Sequence, residues 1–224
     1  AFTQVDIAEE KVDLAYRVNA IGTQNLAMAC RKVDASMVYI STDYVFDGNL
    51  NRAYTEIDQT NPLSVYGKTK LAGEVSARQA TNKLYVLRTA WLYGEGSNFV
   101  RTMMKLGQER DELQVVNDQY GSPTGTADLA EAILQLSRTE RYGTYHAVNT
   151  GVATWYEFAC KIFELAGNSR VRVKPVTTQE FFRPAPRPAY SPLDSRLLTL
   201  ALGWQMRPWS EALAEYVAGL VIAE

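Results

Sequence analysis

Between Glu9 and Val33, the apolar residues Val12, Leu14, Val18, Ile21, Leu26 and Met28 recur at helical spacing and predict one amphipathic helix. The short run Met37-Val38-Tyr39-Ile40 predicts a strand. Further along, the pattern predicts helices over 64–80, 97–109, 126–138 and 154–166, and near 194–201 and 209–222. It predicts strands over 84–88, 113–116, 144–148 and 171–176. Strands that alternate with helices specify an α/β fold: a doubly wound, Rossmann-like parallel sheet with right-handed crossovers. Five of the eight prolines lie between 175 and 192, where they resist helix and central strand. That stretch reads as a loop packed over a site or between lobes. The expected organisation is a dinucleotide-binding domain over 1–95 and 125–150. A smaller C-terminal α/β substrate lobe covers 96–124 and 151–224.

Composition narrows the class. The net charge is −2 and no Lys/Arg cluster is long, so no nucleic-acid partner is expected. No apolar stretch reaches about 18 residues, so no membrane span is expected, and a cytoplasmic location follows. Cys30 and Cys160 read as small buried hydrophobes, with no metal-ligand spacing around them. A single histidine, His146, cannot build a zinc site or a Ser-His-Asp triad, and reads as a packed polar residue.

The chemistry centres on Tyr66 and Lys70, four apart in Pro62-Leu63-Ser64-Val65-Tyr66-Gly67-Lys68-Thr69-Lys70. Positions i and i+4 share a helix face. A phenol with an ammonium beside it is a proton donor whose pKa is lowered toward working pH, as carbonyl reduction requires. The spacing alone is a weak signal in a chain with 13 tyrosines, and an aromatic on a buried helix edge beside a solvated Lys would also produce it. Thr42 and Asp43 follow the predicted strand directly, where α/β folds place ligand-binding groups. Pro62 and Ser64 are suited to open the helix that carries the pair.

Three segments together are more specific: Ser41-Thr42-Asp43-Tyr44-Val45-Phe46-Asp47-Gly48, Tyr66-Gly67-Lys68-Thr69-Lys70-Leu71-Ala72-Gly73-Glu74 and Arg88-Thr89-Ala90-Trp91-Leu92-Tyr93. With Asn117 to Gly125, Arg187-Pro188 and Leu193-Asp194, the chain resembles the dTDP-4-dehydrorhamnose reductase family over nearly its whole length. These are extended short-chain dehydrogenase/reductases that act on nucleotide sugars. The resemblance implies reduction of the C4 ketone of a dTDP-4-dehydro-6-deoxy-L-mannose with hydride from NADPH or NADH. It implies Tyr66 as catalytic acid, Lys70 as its partner that also binds the cofactor ribose, and Thr42 on the substrate carbonyl. It implies Asp43 and Trp91 at the sugar, Arg187 at the substrate pyrophosphate, and Ala1, Phe2, Thr3 and Ile40 along the dinucleotide. For Trp91 and Arg187, a core aromatic and a surface ion pair are the competing readings.

The chain also departs from that pattern. The Gly-rich fingerprint of the first βα turn is absent, and about 60 residues, two βα units, are expected upstream of Ala1. Tyr190 stands where the family has Asn. Some members bind Mg²⁺ through glutamates at a homodimer interface, but Ala127 stands where one of those glutamates is expected, so no metal ligand is assigned here. A regulatory subunit like the methionine adenosyltransferase β subunit, or a related nucleotide-sugar 4-reductase or epimerase, is the alternative reading.

Overall fold

The computed structural model describes residues 1–222. The main sheet has three parallel strands, β1 (Met37–Thr42), β2 (Leu84–Thr89) and β7 (Gly143–His146), in the order β1-β2-β7. Its register places Ser41, Arg88 and His146 in one row. The other strands form two-stranded pairs: β3 (Leu92–Tyr93) with β6 (Thr124–Gly125), β5 (Tyr120–Gly121) with β8 (Ala153–Thr154), and β4 (Glu112–Val116) parallel to β9 (Arg172–Val176). The helices are α1 (Val5–Glu10), α2 (Val12–Tyr16), α3 (Gly22–Lys32), α4 (Val65–Ala80), α5 (Phe99–Glu109), α6 (Thr126–Ser137), α7 (Trp155–Leu165), α8 (Arg196–Leu202) and α9 (Trp209–Ile222).

Strand alternation explains the layering, because successive side chains point to opposite faces. Tyr39, Leu84 and Val86 meet Ala27 of α3 and Ala77 and Ala80 of α4. Tyr85, Leu87 and Tyr145 meet Leu129, Ala132 and Leu136 of α6 and Leu198 of α8. Helices therefore cover both faces, as the alternating pattern requires. A separate core joins β4 to α5, α7 and α9 through Leu113, Val115, Val100, Met103, Phe158, Ile162 and Leu213. His146 packs within the interior, its ring edge-on to Phe46 and its Nδ1 3.0 Å from the Tyr54 carbonyl.

The predicted helix over 9–33 is corrected in two ways. It is α1, α2, a π-helical turn at Arg17–Ile21, and α3, with a break at Lys11. Its large apolar residues face outward: Ile21 is 53% exposed and Leu26 63%. The buried positions are instead Ala8, Ala15, Asn19, Ala20, Thr23 and Ala27. The cause is the close approach of α4. A Cβ added at Gly73 would lie 2.3 Å from the Asn19 carbonyl oxygen and 2.3 Å from the Tyr39 hydroxyl. Only small side chains fit that seam, so size, not hydrophobicity, decides which face is inward. Cys30 and Cys160 are likewise half-buried free thiols rather than core residues.

α4 begins where Pro62 and Ser64 place it, with the Ser64 hydroxyl accepting from Gly67 N at 3.1 Å. Glu9 of α1 adds a carboxylate that accepts from Val65 N at 2.8 Å. Gly73→Ala tests the seam. Helix propensity favours Ala by about 1 kcal/mol, but the contacts at Asn19 and Tyr39 involve a backbone oxygen and a packed ring. A net loss of roughly 1–3 kcal/mol is expected from overpacking, read as a lower midpoint in thermal unfolding. A raised midpoint would show that the seam yields.

Candidate active site

The C-terminal end of β1 organises the site. Thr42 ends the strand in extended conformation, and its hydroxyl accepts from Tyr44 N at 3.2 Å. The same hydroxyl donates to Asp43 Oδ1 at 3.0 Å. Asp43 is 2% exposed, and its other oxygen accepts from Ser191 Oγ at 2.6 Å. Burial pushes the Asp43 carboxyl up to about 6, against the pull of those two hydroxyls. Asp43 thus ties the strand end to the chain after the proline-rich loop. Its oxygens are committed to protein hydroxyls.

Tyr66 stands in the first turn of α4, its ring edge-on to Tyr44 at a centroid distance of 5.8 Å. Burial pushes its phenol up to about 12, with the nearby Thr42 hydroxyl opposing the rise and the Asp43 charge adding to it. The lowered phenol pKa expected from the Tyr-Lys spacing is therefore not found in the chain by itself. Lys70 explains part of this. Its Nζ donates to the Ile40 carbonyl at 2.6 Å and lies 4.1 Å from the Tyr39 ring centroid. Burial brings the ammonium down to about 8, while Glu74 holds it up. The cation is anchored on the strand, and burial is the largest influence on the phenol.

Phe2 is held through its backbone: its N–H donates to Asn19 Oδ1 at 2.7 Å and its carbonyl accepts from Asn19 Nδ2 at 3.0 Å. The same Nδ2 donates to Thr69 Oγ1 at 3.0 Å, and Thr69 in turn donates to the Tyr66 carbonyl at 2.9 Å. Asn19 thus links the segment Ala1–Thr3 to the turn of α4 that carries Tyr66, and the π-helical turn aims it. Sequence reasoning passed over Asn19. A polar residue on the buried side of an otherwise helical pattern was the available signal.

Beside Tyr44 opens a cavity of about 750 Å³, within the range of small-molecule sites. Its walls include Phe99 and Met103 of α5, Val115 of β4, Trp155 of α7, and Phe181 and Arg187 of the proline-rich loop. Trp155, another residue the sequence reading missed, forms the wall. Trp91 lies behind it, stacked at 3.6 Å and 9°. Trp91 has φ +47°, a left-handed conformation that bulky residues rarely adopt and that costs about 1–3 kcal/mol. Gly121 fits against its indole, where a Cβ would come within 2.3 Å. Arg187 borders the cavity but makes a bidentate pair with Asp6, both N···O distances 3.0 Å. Tyr190 packs on Tyr120.

The end of β1 and the wall of α4 fit a nicotinamide dinucleotide in one specific respect. The Lys70 ammonium gives a single hydrogen bond among the described residues, leaving donors suited to a diol. No group of three or more His, Cys, Asp or Glu among the described residues could hold a metal ion. No helix among them is long and apolar enough to cross a membrane.

Known proteins resemble this chain in sequence and fold. The family model described as RmlD substrate binding domain matches residues 1–222. The spore coat polysaccharide biosynthesis protein SpsK of Bacillus subtilis is 46% identical over 218 residues, covering 97% of this chain and 76% of that protein. The crystal structure of a dTDP-4-dehydrorhamnose reductase from Clostridium acetobutylicum superimposes with a TM-score of 0.96 at 52% identity, covering 98% of this chain and 78% of that one. A dTDP-4-dehydrorhamnose reductase from Bacillus anthracis, solved in complex with NADP, gives 0.95 at 48% identity with the same two coverages. Matched along 222 residues and so close in fold to solved reductases, the chain belongs to the RmlD substrate binding domain family, that of the dTDP-4-dehydrorhamnose reductases.

Proposed function

We propose that this chain carries the reducing site for the C4 ketone of dTDP-4-dehydro-6-deoxy-L-mannose, giving dTDP-L-rhamnose. One observation carries the reading: Tyr66 stands by Thr42 at the end of β1, Lys70 is bonded to the Ile40 carbonyl of the same strand, and Tyr44, edge-on to Tyr66, lines a cavity large enough for a nucleotide sugar. The reductase relatives, one of them solved with NADP, supply the reaction class and the cofactor.

NAD(P)H, when bound, supplies a hydride to the carbonyl carbon. The Tyr66 hydroxyl holds the proton that the carbonyl oxygen takes as the C–O bond becomes an alcohol. With its phenol pushed up to about 12 by burial, Tyr66 carries its proton at neutral pH and gives it up less readily than an exposed tyrosine. Lys70 stabilises the phenolate left behind and offers its remaining donors to a ribose diol. The Thr42 hydroxyl donates its one proton to Asp43, so it orients the carbonyl by turning that proton to the substrate oxygen, and Asp43 acts on the sugar through this exchange. Ala1, Phe2, Thr3 and Ile40 contribute mainly backbone along the dinucleotide. Trp155 presents its ring to the cavity and Trp91 supports it from behind. Arg187 offers its guanidinium to the diphosphate while Asp6 keeps it in place.

The deciding experiment is an assay of the full-length protein with dTDP-4-dehydrorhamnose and each nicotinamide cofactor, followed by loss of nicotinamide absorbance. No turnover with either cofactor overturns the reading. Tyr66→Phe keeps the ring and removes the proton. Its kcat should fall about 10²–10⁴-fold, the usual worth of acid–base catalysis, with substrate affinity little changed. Wild-type turnover by that variant removes Tyr66 from the mechanism.

Trp91→Ala withdraws the support behind Trp155. KM for the sugar nucleotide should rise and kcat should fall, because a loosely held ketone misaligns with the hydride. NADPH affinity, measured by fluorescence titration, should stay as in the parent. Weakened NADPH binding with an unchanged sugar KM would place Trp91 on the cofactor side.

A further inference from the structure

We propose that Glu74 is a positioning residue for the reduction: its buried carboxylate, one helical turn beyond Lys70, fixes the place and the charge of the Lys70 ammonium. The inference rests on the reductase reading of Tyr66 and Lys70. Glu74 is 0% exposed, on a helix whose other buried residues are Gly67, Thr69, Lys70, Gly73, Ala77 and Ala80. A carboxylate there is costly unless it is paired and fully hydrogen-bonded. It is both. Arg88 of β2 donates from Nε to Oε1 at 3.0 Å and from NH2 to Oε2 at 2.8 Å. Ser41 of β1 donates to Oε1 at 2.6 Å, and Arg78 donates to Oε2 at 3.0 Å. Two strands and two turns of α4 therefore meet on one carboxylate.

That clamp has a direct bearing on Lys70. Ser41 follows Ile40, whose carbonyl receives the Lys70 ammonium. Fixing Ser41 to Glu74 fixes the acceptor and the donor relative to each other. Charge works in the same direction. Around Lys70, β1 presents the Tyr39 ring, the turn after β1 presents Asp43 and Tyr44, and β2 presents Arg88, which Glu74 neutralises. Glu9 of α1 caps the first turn of α4, next to Tyr66. The charged residues Asp13, Arg17, Arg31 and Lys32 of α2, the π-helical turn and α3 are exposed, as is Lys68 of α4 itself. Among the charged groups, Glu74 is the one that favours the protonated amine, against the burial that disfavours it. Glu74 itself stays ionised, because burial is outweighed by Arg88, Ser41 and Arg78.

The test is a titration of Lys70 by the ¹³Cε shift of labelled lysine, assigned by its loss in Lys70→Met, alongside the pH profile of kcat/KM. Removing the anion lowers the affinity of the amine for its proton. In Glu74→Gln the Lys70 midpoint should fall by about one pH unit, roughly tenfold in proton affinity. The alkaline limb of activity should move to lower pH with it. Glu74→Asp keeps the charge and should bring both back toward the parent. Glu74→Gln strands the Arg88 guanidinium and risks unfolding, so Arg78→Gln provides the second reading. Arg78 is 41% exposed, and its loss removes a cation from the far side of Glu74. The Lys70 midpoint and the alkaline limb should then move to higher pH. Folded variants that titrate as the parent does, or an Arg78→Gln midpoint that stays or falls, overturn the proposal. The NMR titration needs no turnover, so a parent without reductase activity would refute the functional reading separately from the Glu74–Lys70 coupling.

Discussion

An ammonium deprived of water is the constraint around which this fold is arranged. Lys70 reaches the end of β1 through the interior and finds one carbonyl, one aromatic face and one distant carboxylate. Each of those partners is held in turn. Ile40 is held by the sheet, Tyr39 by its contact with the seam, and Glu74 by three side chains from two strands and its own helix. A buried charge is costly unless it is paired and hydrogen-bonded, so the few contacts that Lys70 makes must be held in place. That requirement fixes the pitch and rotation of α4 against β1 and β2, and so fixes where Tyr66 emerges.

The small residues of α3 and α4 serve the same end. Gly67 approaches the Tyr44 carbonyl and Gly73 the Asn19 carbonyl, each so closely that a Cβ would come within 2.4 Å. The helix can lie this deep only because its inner face is nearly bare. Depth brings the phenol beside the strand end and the lysine to the Ile40 carbonyl. It also explains the π-helical turn, which rotates Asn19 inward to bond both Phe2 and Thr69.

Much of this was legible in the sequence because the signals were local. Alternation of strands and helices gave the layered sheet, Pro62 and Ser64 marked the start of α4, and the motif around Tyr66 pointed to the reductase family. What escaped the sequence depended on neighbours far along the chain. The face of the 9–33 segment was misread because hydrophobicity was counted where size decides. Tyr66 was expected to have a lowered pKa because i+4 spacing says nothing of burial, which here is the larger effect. The Asp6 that pairs with Arg187 escaped because it lies 181 residues away along the chain. Trp155 escaped because its stacking on Trp91 is a property of packing, invisible to composition.

Packed against Phe46, the His146 imidazole is neutral: burial, with Arg88 nearby, brings its pKa down to about 3. When the chain opens, the ring meets water and regains its ordinary proton affinity near 6.5. Below that pH, unfolding takes up a proton that the native interior refuses. The stability due to the neutral ring is complete above about pH 6.5 and erodes as acidity increases toward pH 3. Most carboxylates begin to matter only near their ordinary range of about 4, while Asp43, pushed up to about 6, takes its proton earlier in the folded state and offsets part of that loss. A side chain placed for packing thus makes the molecule's tolerance of acid begin to fail closer to neutrality, at a histidine that takes no part in the chemistry.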